Sequence, residues 1–298
     1  MKGDGAVGRH SGEEPQSRHP KNGAAVTAQQ YAGLCMELRR KIIDTLWRAQ
    51  GGHPGGSLSA VEILAALYFV VLRVDPADPS WEARDRFVLS KGHASTAYYV
   101  VLHQRGFFDA DTLATYDQID SCLQAHPDCH TPGVDMPSGS LGQGLSAGLG
   151  MALGARLKGF DSRVFVLLGD GELDEGQCWE AILAAPKFGL GNLTAIVDCN
   201  KVQLSGRVEE VMPIEPLADK WRAFNWNVFE VDGHDVPAIV GACQRAAASP
   251  QTPSVILAHT VKGKGVTFME GTHKWHSAIV TDEARDIALS ELRQSVAS

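Results

Sequence analysis

Basic charge is scarce in this 298-residue sequence: 27 lysines and arginines against 35 acids leave a formal net charge of −8. No dense Lys/Arg run interrupts that balance, which argues against a nucleic-acid-binding surface. Long hydrophobic runs are missing too. The longest, Ile63–Leu72, contains a tyrosine and is about half of the roughly 20 residues a membrane span requires. The N-terminus has no apolar core of the signal-peptide kind, so the expected location is cytoplasmic, with no membrane partner. There the six cysteines would be reduced thiols, with Cys178 and Cys199 as small core residues. No Walker A string and no internal repeat occur, which weakens nucleoside-triphosphate and solenoid readings. Residues 1–26 nearly lack large apolar side chains and are rich in Gly, Ser, Pro, Lys and Glu, a composition that predicts a disordered tail. Order is expected from Thr27, a helix cap, through a helix to about Ala49 with Leu34, Leu38, Ile42 and Leu46 on one stripe.

What the sequence does have is concentrated between residues 163 and 202. Two apolar runs, Val164–Leu168 and Leu193–Val197, have the length of buried strands. Glu175–Phe188 between them carries apolar residues at helical spacing, and Gly189–Gly191 closes it. A crossover helix makes the two strands parallel. The first strand runs into Gly169-Asp170-Gly171 and the second into Asp198-Cys199-Asn200. Parallel neighbours end on the same edge of a sheet, so Asp170 and Asn200 are expected side by side. Two hard oxygens with a nearby carbonyl make half of an octahedral magnesium shell, the other half being water and diphosphate. The chain contains its own control. Gly3-Asp4-Gly5 is the same tripeptide, but no strand precedes it and the position 30 after Asp4 is Leu34, whereas the position 30 after Asp170 is Asn200.

Histidines stand at three further breaks. His53 sits among four glycines and a proline in Gly51–Gly56, ahead of a helix predicted from Ser57 or Ser59 to Leu72. His93 follows the short predicted strand Arg86–Leu89, before a helix from Ala94 to His103, where α/β proteins place ligands. His273 and His276 lie in a late loop, and the residues alone do not choose between them. Residues 106–137 read as irregular. Cys122, His126, Cys129 and His130 lie there within nine residues, but adjacent Cys129 and His130 suit a tetrahedral zinc ion poorly, so a loop with one functional histidine is the better account. Gly139–Gly144 opens a small-residue helix, Leu145–Leu157, able to approach a second helix or subunit closely. Its GxGxxxG string invites a dinucleotide reading, yet Pro137 and irregular chain precede it rather than a strand. Beyond the centre the pattern predicts a helix over Pro213–Phe224, a strand over Asn227–Val231, a helix over Val236–Ala247, a strand over Val255–His259 and a polar closing helix over 282–295. The whole fits an α/β, doubly wound, mainly parallel sheet with helices on both faces.

Four separated strings, GGHPGG at 51, LSKGHA at 89, GSLGQG at 139 and GDGELDEG at 169, together with EVMPIEPLADKWRAFNWNVFEVDGHD from 210, resemble the N-terminal, diphosphate-binding domain of transketolases from about 27 to 276. The resemblance implies a thiamine-diphosphate-binding fold over 27–298. It implies thiamine diphosphate held through Mg2+ (or Ca2+), with Asp170, Asn200 and the backbone oxygen of Val202 as metal ligands. Gly139, Leu141, Gly169 and Gly171 correspond to cofactor contacts and Glu175 to an acid at the subunit interface. His53, His93 and His276 correspond to histidines lining the channel, and His126 to one that binds donor hydroxyls. The implied activity is transfer of a two-carbon ketol unit from a ketose phosphate to an aldose phosphate in the pentose phosphate route, with the cofactor as electron sink. The pyrimidine-binding and C-terminal domains have no counterpart in this sequence. The expected partner is therefore a separately encoded C-terminal subunit, in a dimer of heterodimers, with the isolated chain inactive. Departures bear on the substrate: Ser277 follows His276 where glycine is common, Ala278-Ile279-Val280 replaces a more polar stretch, and Ser205 stands where an acid is common. A related transferase acting on a modified sugar, or a non-catalytic subunit that keeps the fold, are the alternatives.

Overall fold

Five apolar runs become the five strands of one parallel sheet in the computed structural model, which describes residues 28–294. The tail predicted for 1–26, the cap at Thr27 and the last four residues lie outside the described residues. In chain order the elements are α1 (Ala28–Ala49), α2 (Pro54–Ser59), α3 (Val61–Ala66), β1 (Arg86–Leu89), α4 (Ser95–Arg105), α5 (Ala110–Leu113), α6 (Gln143–Leu157) and β2 (Val164–Gly169). There follow α7 (Gly176–Lys187), β3 (Leu193–Cys199), α8 (Val208–Val211), α9 (Leu217–Ala223), β4 (Asn227–Asp232), α10 (Val236–Ala247), β5 (Ser254–His259) and α11 (Asp282–Gln294). The strand order is β1-β2-β3-β5-β4. Every pairing is parallel, with Gly169 opposite Asp198 and Cys199 opposite His259.

The strands alternate between two cores, as a period of two requires. Phe87, Phe165, Leu167, Ile196 and Ile256 face a cluster built with α1, α3, α4, α10 and α11. Val164, Val166, Leu168, Val197 and Leu257 face the other, built with α6, α7 and α9. β2 and β3 are buried along their whole length, which is why they read as continuous apolar runs. Cys178 and Cys199 belong to the second cluster. The glycines of α6 serve the sheet rather than only a helix or subunit. A Cβ on Gly148 would stand 2.4 Å from Val166, and one on Gly144 2.3 Å from Ser90, so no larger residue lets the helix lie this close.

Two predicted helices differ from what forms. The helix expected from Ser57 or Ser59 begins instead at Pro54, with His53 in the capping position. Proline suits that place because the first turn leaves its N–H without a partner anyway. Gly55 and Gly56 are drawn into the helix by close tertiary contacts, since a Cβ on Gly55 would meet the Trp275 carbonyl at 2.9 Å and one on Gly56 the His93 ring at 3.1 Å. The stretch is also broken into α2, α3 and a π turn over Leu67–Val71. The helix expected over Pro213–Phe224 is confined to Leu217–Ala223, because a residue preceding a proline is pushed out of the helical region and Pro216 follows Glu215. No helix among the described residues is long and apolar enough to cross a membrane.

Candidate active site

The strand tips of β1, β2, β3 and β5 deliver charged groups to one sheet edge, the edge at which parallel sheets bind ligands. Asp170 follows β2 directly and is buried, at 4% exposure. Its carboxylate accepts the Gly171 N–H at 2.9 Å and the Lys201 N–H at 2.5 Å, so the turn after β3 wraps around it and brings Asn200 to its side. Among the described residues no cationic side chain stands at ion-pair distance from Asp170. Burial, and then the neighbouring charge of Asp198, push its pKa up to about 6. The side-chain oxygen of Asn200 accepts the Val202 N–H at 3.1 Å. The Val202 carbonyl accepts a hydrogen bond from the Lys262 ammonium at 2.8 Å, and its second lone pair stays available.

Two lysines that sequence reasoning passed over hold the floor of this edge. Lys91 and Lys262 are each 1% exposed. Lys91 forms a short ion pair with Asp198, itself fully buried, and donates to the Gly56 carbonyl at 3.0 Å. Asp198 also accepts from Ser59 at 2.6 Å, from Asn200 at 3.2 Å and from Thr260. Burial alone would raise the Asp198 carboxyl, but Lys91 and these donors hold it below the usual carboxylate range. Lys262 is different: besides Val202 its ammonium meets only the His276 ring, Nζ to Nδ1 2.8 Å. Burial and the nearby Lys91 charge bring it down to about 8. Glu172, another residue the sequence did not single out, accepts from Ser90, from the Gly142 N–H at 3.0 Å and from the Gly169 N–H at 3.1 Å. All three stand two or three residues past a strand end, a position that by itself does not mark a charged residue as buried.

The four predicted histidines converge beside this charged floor. Ring centroids lie 5.5 Å apart for His53 and His93, 6.0 Å for His53 and His126, 5.7 Å for His53 and His276, and 4.9 Å for His93 and His276. Burial depresses His53 to about 4, with His126 adding to the effect, and His276 to about 3, with Lys262 adding. His93 is held well below its ordinary value by burial and by Lys91. These three rings are neutral at physiological pH. His53 Nδ1 is buried and, among the described residues, without a hydrogen-bond partner. His273 lies exposed, so the structure separates the two late histidines. His130 turns outward onto Asp128, with both side chains exposed.

The remaining predicted positions help to frame a cavity of about 250 Å³ whose lining includes Leu141, Gly169, Asp170, Gly171, Glu175, Asn200 and Val202, together with His93, His276, Lys91, Glu172 and Lys262. Glu175 is exposed at its rim, capping α7. Gly139 stands outside it, with φ +149° and the His126 ring 3.3 Å from where a Cβ would be; only glycine lets backbone and ring meet there. Among the described residues the cavity thus has a buried carboxylate without a cation paired to it and a buried ammonium without an anion paired to it. Leaving either charge uncompensated is costly, and a divalent cation carrying a polyanionic group compensates both. The donor set, hard oxygens with a lysine beside them, fits magnesium or calcium with diphosphate.

Residues 32–294 match the family model of the transketolase thiamine-diphosphate-binding domain. The apulose-4-phosphate transketolase of Phocaeicola vulgatus has a subunit that is 40% identical over 87% of this chain and 92% of its own length. The 6-deoxy-6-sulfo-D-fructose transketolase subunit SqwG of a Clostridium species is 43% identical over 86% of this chain and 94% of its own. A solved transketolase variant from Pichia stipitis, in complex with xylulose 5-phosphate, superposes with a TM-score of 0.84 at 29% identity. That likeness covers 91% of this chain but 41% of the Pichia chain, so the protein spans about two-fifths of that enzyme. The parallel five-stranded sheet with helices on both faces is the fold those structures share.

Proposed function

Because the chain belongs to the transketolase family through its thiamine-diphosphate-binding domain, we propose that it is the N-terminal subunit of a split transketolase that moves a two-carbon ketol unit between a ketose and an aldose. The observation that carries this reading is the cavity lined by both Asp170 and Lys262, neither of them ion-paired among the described residues, with His93 and His276 of the histidine cluster also in its wall. Asp170, Asn200 and the Val202 carbonyl would hold Mg2+ (or Ca2+). Lys262, with the backbone at Gly169 and Gly171, would meet the diphosphate, and Leu141 and Gly139 would flank the ring, with Glu175 at the rim. Thiamine diphosphate supplies, when bound, a nucleophilic ring carbon and an electron sink for breaking a carbon–carbon bond.

The chain's own part is proton handling and positioning. Neutral imidazoles accept or share sugar hydroxyl protons near pH 7, whereas imidazolium rings could only donate. His53 Nδ1, buried with no partner, is the ring nitrogen free to take a substrate hydroxyl. His93 and His276 line the cavity, and His126, its ring centroid 6.0 Å from that of His53, would meet the donor's hydroxyls. Lys91 also lines the cavity, but with its ammonium committed to Asp198 its part would be to fix the strand tips.

The substrate is proposed to be a modified sugar rather than the common pentose phosphates. Both relatives above are named for modified sugars, and the departures directly follow His276, which lines the cavity, with Ser277 and Ile279 exposed. That those relatives are named as subunits supports a separately encoded partner with the pyrimidine-binding domain, in a dimer of heterodimers. Intact Asp170, Asn200 and histidines speak against a non-catalytic role. The test is reconstitution. The full chain with its partner subunit, thiamine diphosphate and Mg2+ should transfer a ketol unit to an aldose, and the chain alone should not. Strong activity of the isolated chain, or none from the complex with any ketose donor, overturns the proposal.

A further inference from the structure

Beside the cavity lies a second buried network that reaches the site through the loop 261–264 and, more weakly, through α2, where Arg39 donates to the Leu58 carbonyl at 3.5 Å. Arg39 on α1 and Glu62 on α3 are 4% and 6% exposed and form a bidentate pair at 2.6 and 2.7 Å. The second oxygen of Glu62 also meets His234 Nδ1 at 2.9 Å. On the other side of that ring, Nε2 receives the Val261 backbone N–H at 2.9 Å. A backbone N–H can only donate, so Nε2 carries no proton, and the neutral ring must donate from Nδ1 to Glu62. Arg39 then reaches past Glu62 and donates from Nε to the Lys264 carbonyl at 2.9 Å. The two ends of the loop 261–264 are therefore gripped by one carboxylate-centred assembly, Val261 through His234 and Lys264 through Arg39. Between them stands Lys262, whose stem runs against Gly55 and whose ammonium ends 2.8 Å from both Val202 and His276.

Backbone hydrogen bonds steady the middle of this loop, from the Gly263 N–H to the Gly55 carbonyl at 3.0 Å and from the Gly271 N–H to the Lys262 carbonyl at 2.9 Å. The clamp fixes its ends. A lysine side chain has four rotatable bonds and a compact point charge with no preferred direction, so the precision of its ammonium is inherited from the backbone. Glu62 is the hinge of the grip. Burial alone would raise its carboxyl, but Arg39 and His234 bring it down to about 2, so it is ionised and able to hold both partners at once.

We propose that Glu62, Arg39 and His234 are positioning residues for Lys262: by clamping both ends of the loop 261–264 they set where its ammonium meets the cofactor's diphosphate, and so set cofactor affinity. This rests on the assignment of the cavity to thiamine diphosphate. None of the three lines that cavity, and His234 reaches it through the Val261 end of the loop. His234 is the place to interrupt the clamp, because removing it leaves the Arg39–Glu62 pair intact.

The experiment uses the full chain in complex with its partner subunit. Calorimetry measures binding of thiamine diphosphate with Mg2+, alongside hydrogen exchange of the 261–264 amides in the cofactor-free complex. His234→Phe should weaken cofactor binding by roughly 10- to 100-fold, the range for losing a group that orients a ligand-contacting residue. It should also unprotect the Val261 amide and leave kcat at saturating cofactor within about twofold of wild type. His234→Gln, whose amide oxygen can still accept from Val261, should recover most of the affinity. In a Lys262→Met background His234→Phe should cost nothing further, since it acts through the lysine it no longer positions. Full additivity of the two substitutions, or wild-type binding by His234→Phe with an unprotected loop, overturns the clamp while leaving the cavity assignment standing. A wild-type complex that fails to bind thiamine diphosphate overturns both.

Discussion

The two halves of the sheet edge are built on opposite plans. In the charged half, Lys91 and Asp198 satisfy each other, and Ser59, Asn200 and Thr260 use up the remaining acceptor capacity of the carboxylate. In the histidine half four imidazole rings gather, His53 within 6.0 Å of each of the others, and His53 Nδ1 is left with nothing to bond. The Lys91–Asp198 network is finished by its own chain; the histidine half, with Asp170 and Lys262 beside it, is arranged for a guest. The difference teaches where stability and where function reside: a saturated buried network rigidifies, and an unsaturated one waits for a ligand.

Removing the lysine from the saturated half is expected to do the most harm. Lys91→Met leaves Asp198 as an uncompensated buried charge and should cost about 3–5 kcal/mol, read as a fall in denaturant midpoint. A loss below about 1 kcal/mol, the scale of an exposed ion pair, would mean the pair does not hold this half together. Next comes Asp170→Asn, at the seam of the two halves. Loss of this proposed metal ligand should lower activity of the reconstituted complex by at least about 100-fold, and titration with Mg2+ should not restore it. Thermal unfolding of the metal-free chain should not fall and should if anything rise, since the substitution removes a buried carboxylate that has no cationic partner among the described residues. If Asp170→Asn unfolds the chain, the seam belongs to the structural half instead.

The smallest effect is expected in the histidine half, and only in acid. Unfolded, His53 takes its proton near 6.5; folded, burial delays this to about 4. Between those values the unfolded chain binds more protons, so stability declines as pH falls from 6.5 towards 4 and then levels off. His53→Asn removes this contribution. Its acid unfolding should shift to lower pH by an amount on the order of 1 kcal/mol at pH 4, after discounting for the ring's partial exposure. An unchanged acid transition would show that His53 is hydrated in the folded chain.

Much of this was legible from the residues alone. The β2–α7–β3 unit announces itself because fully buried strands read as unbroken apolar runs, and parallel pairing then forces Asp170 and Asn200 onto one edge. The histidines were legible because glycine and proline around His53, and a strand end before His93, deny them ordinary core positions. Lys91, Lys262, Glu172 and Glu62 were not, and the reason is physical. Each is buried with partners distant in the chain, 107 residues apart for Lys91 and Asp198, and a sequence window sees only an isolated charge that would normally be solvated. The start of α2 was misjudged for a related reason: Gly55 and Gly56 have poor helix propensity, and it is contact with Trp275, Lys262 and His93 that overrides it.

Glu172 carries a lesson about transplanting the motif. Its two oxygens tie together the end of β1 at Ser90, the loop at Gly142 and the turn at Gly169, three segments that approach the cavity from different directions. The tripeptide Gly169-Asp170-Gly171 alone, copied onto another sheet, would arrive with its carboxylate but without the surrounding walls. The smallest portable unit is the four-residue string ending in Glu172, together with a serine and a glycine N–H set to meet it, which is why Gly3-Asp4-Gly5, followed by Ala6, has the letters of the motif and none of its means of assembly.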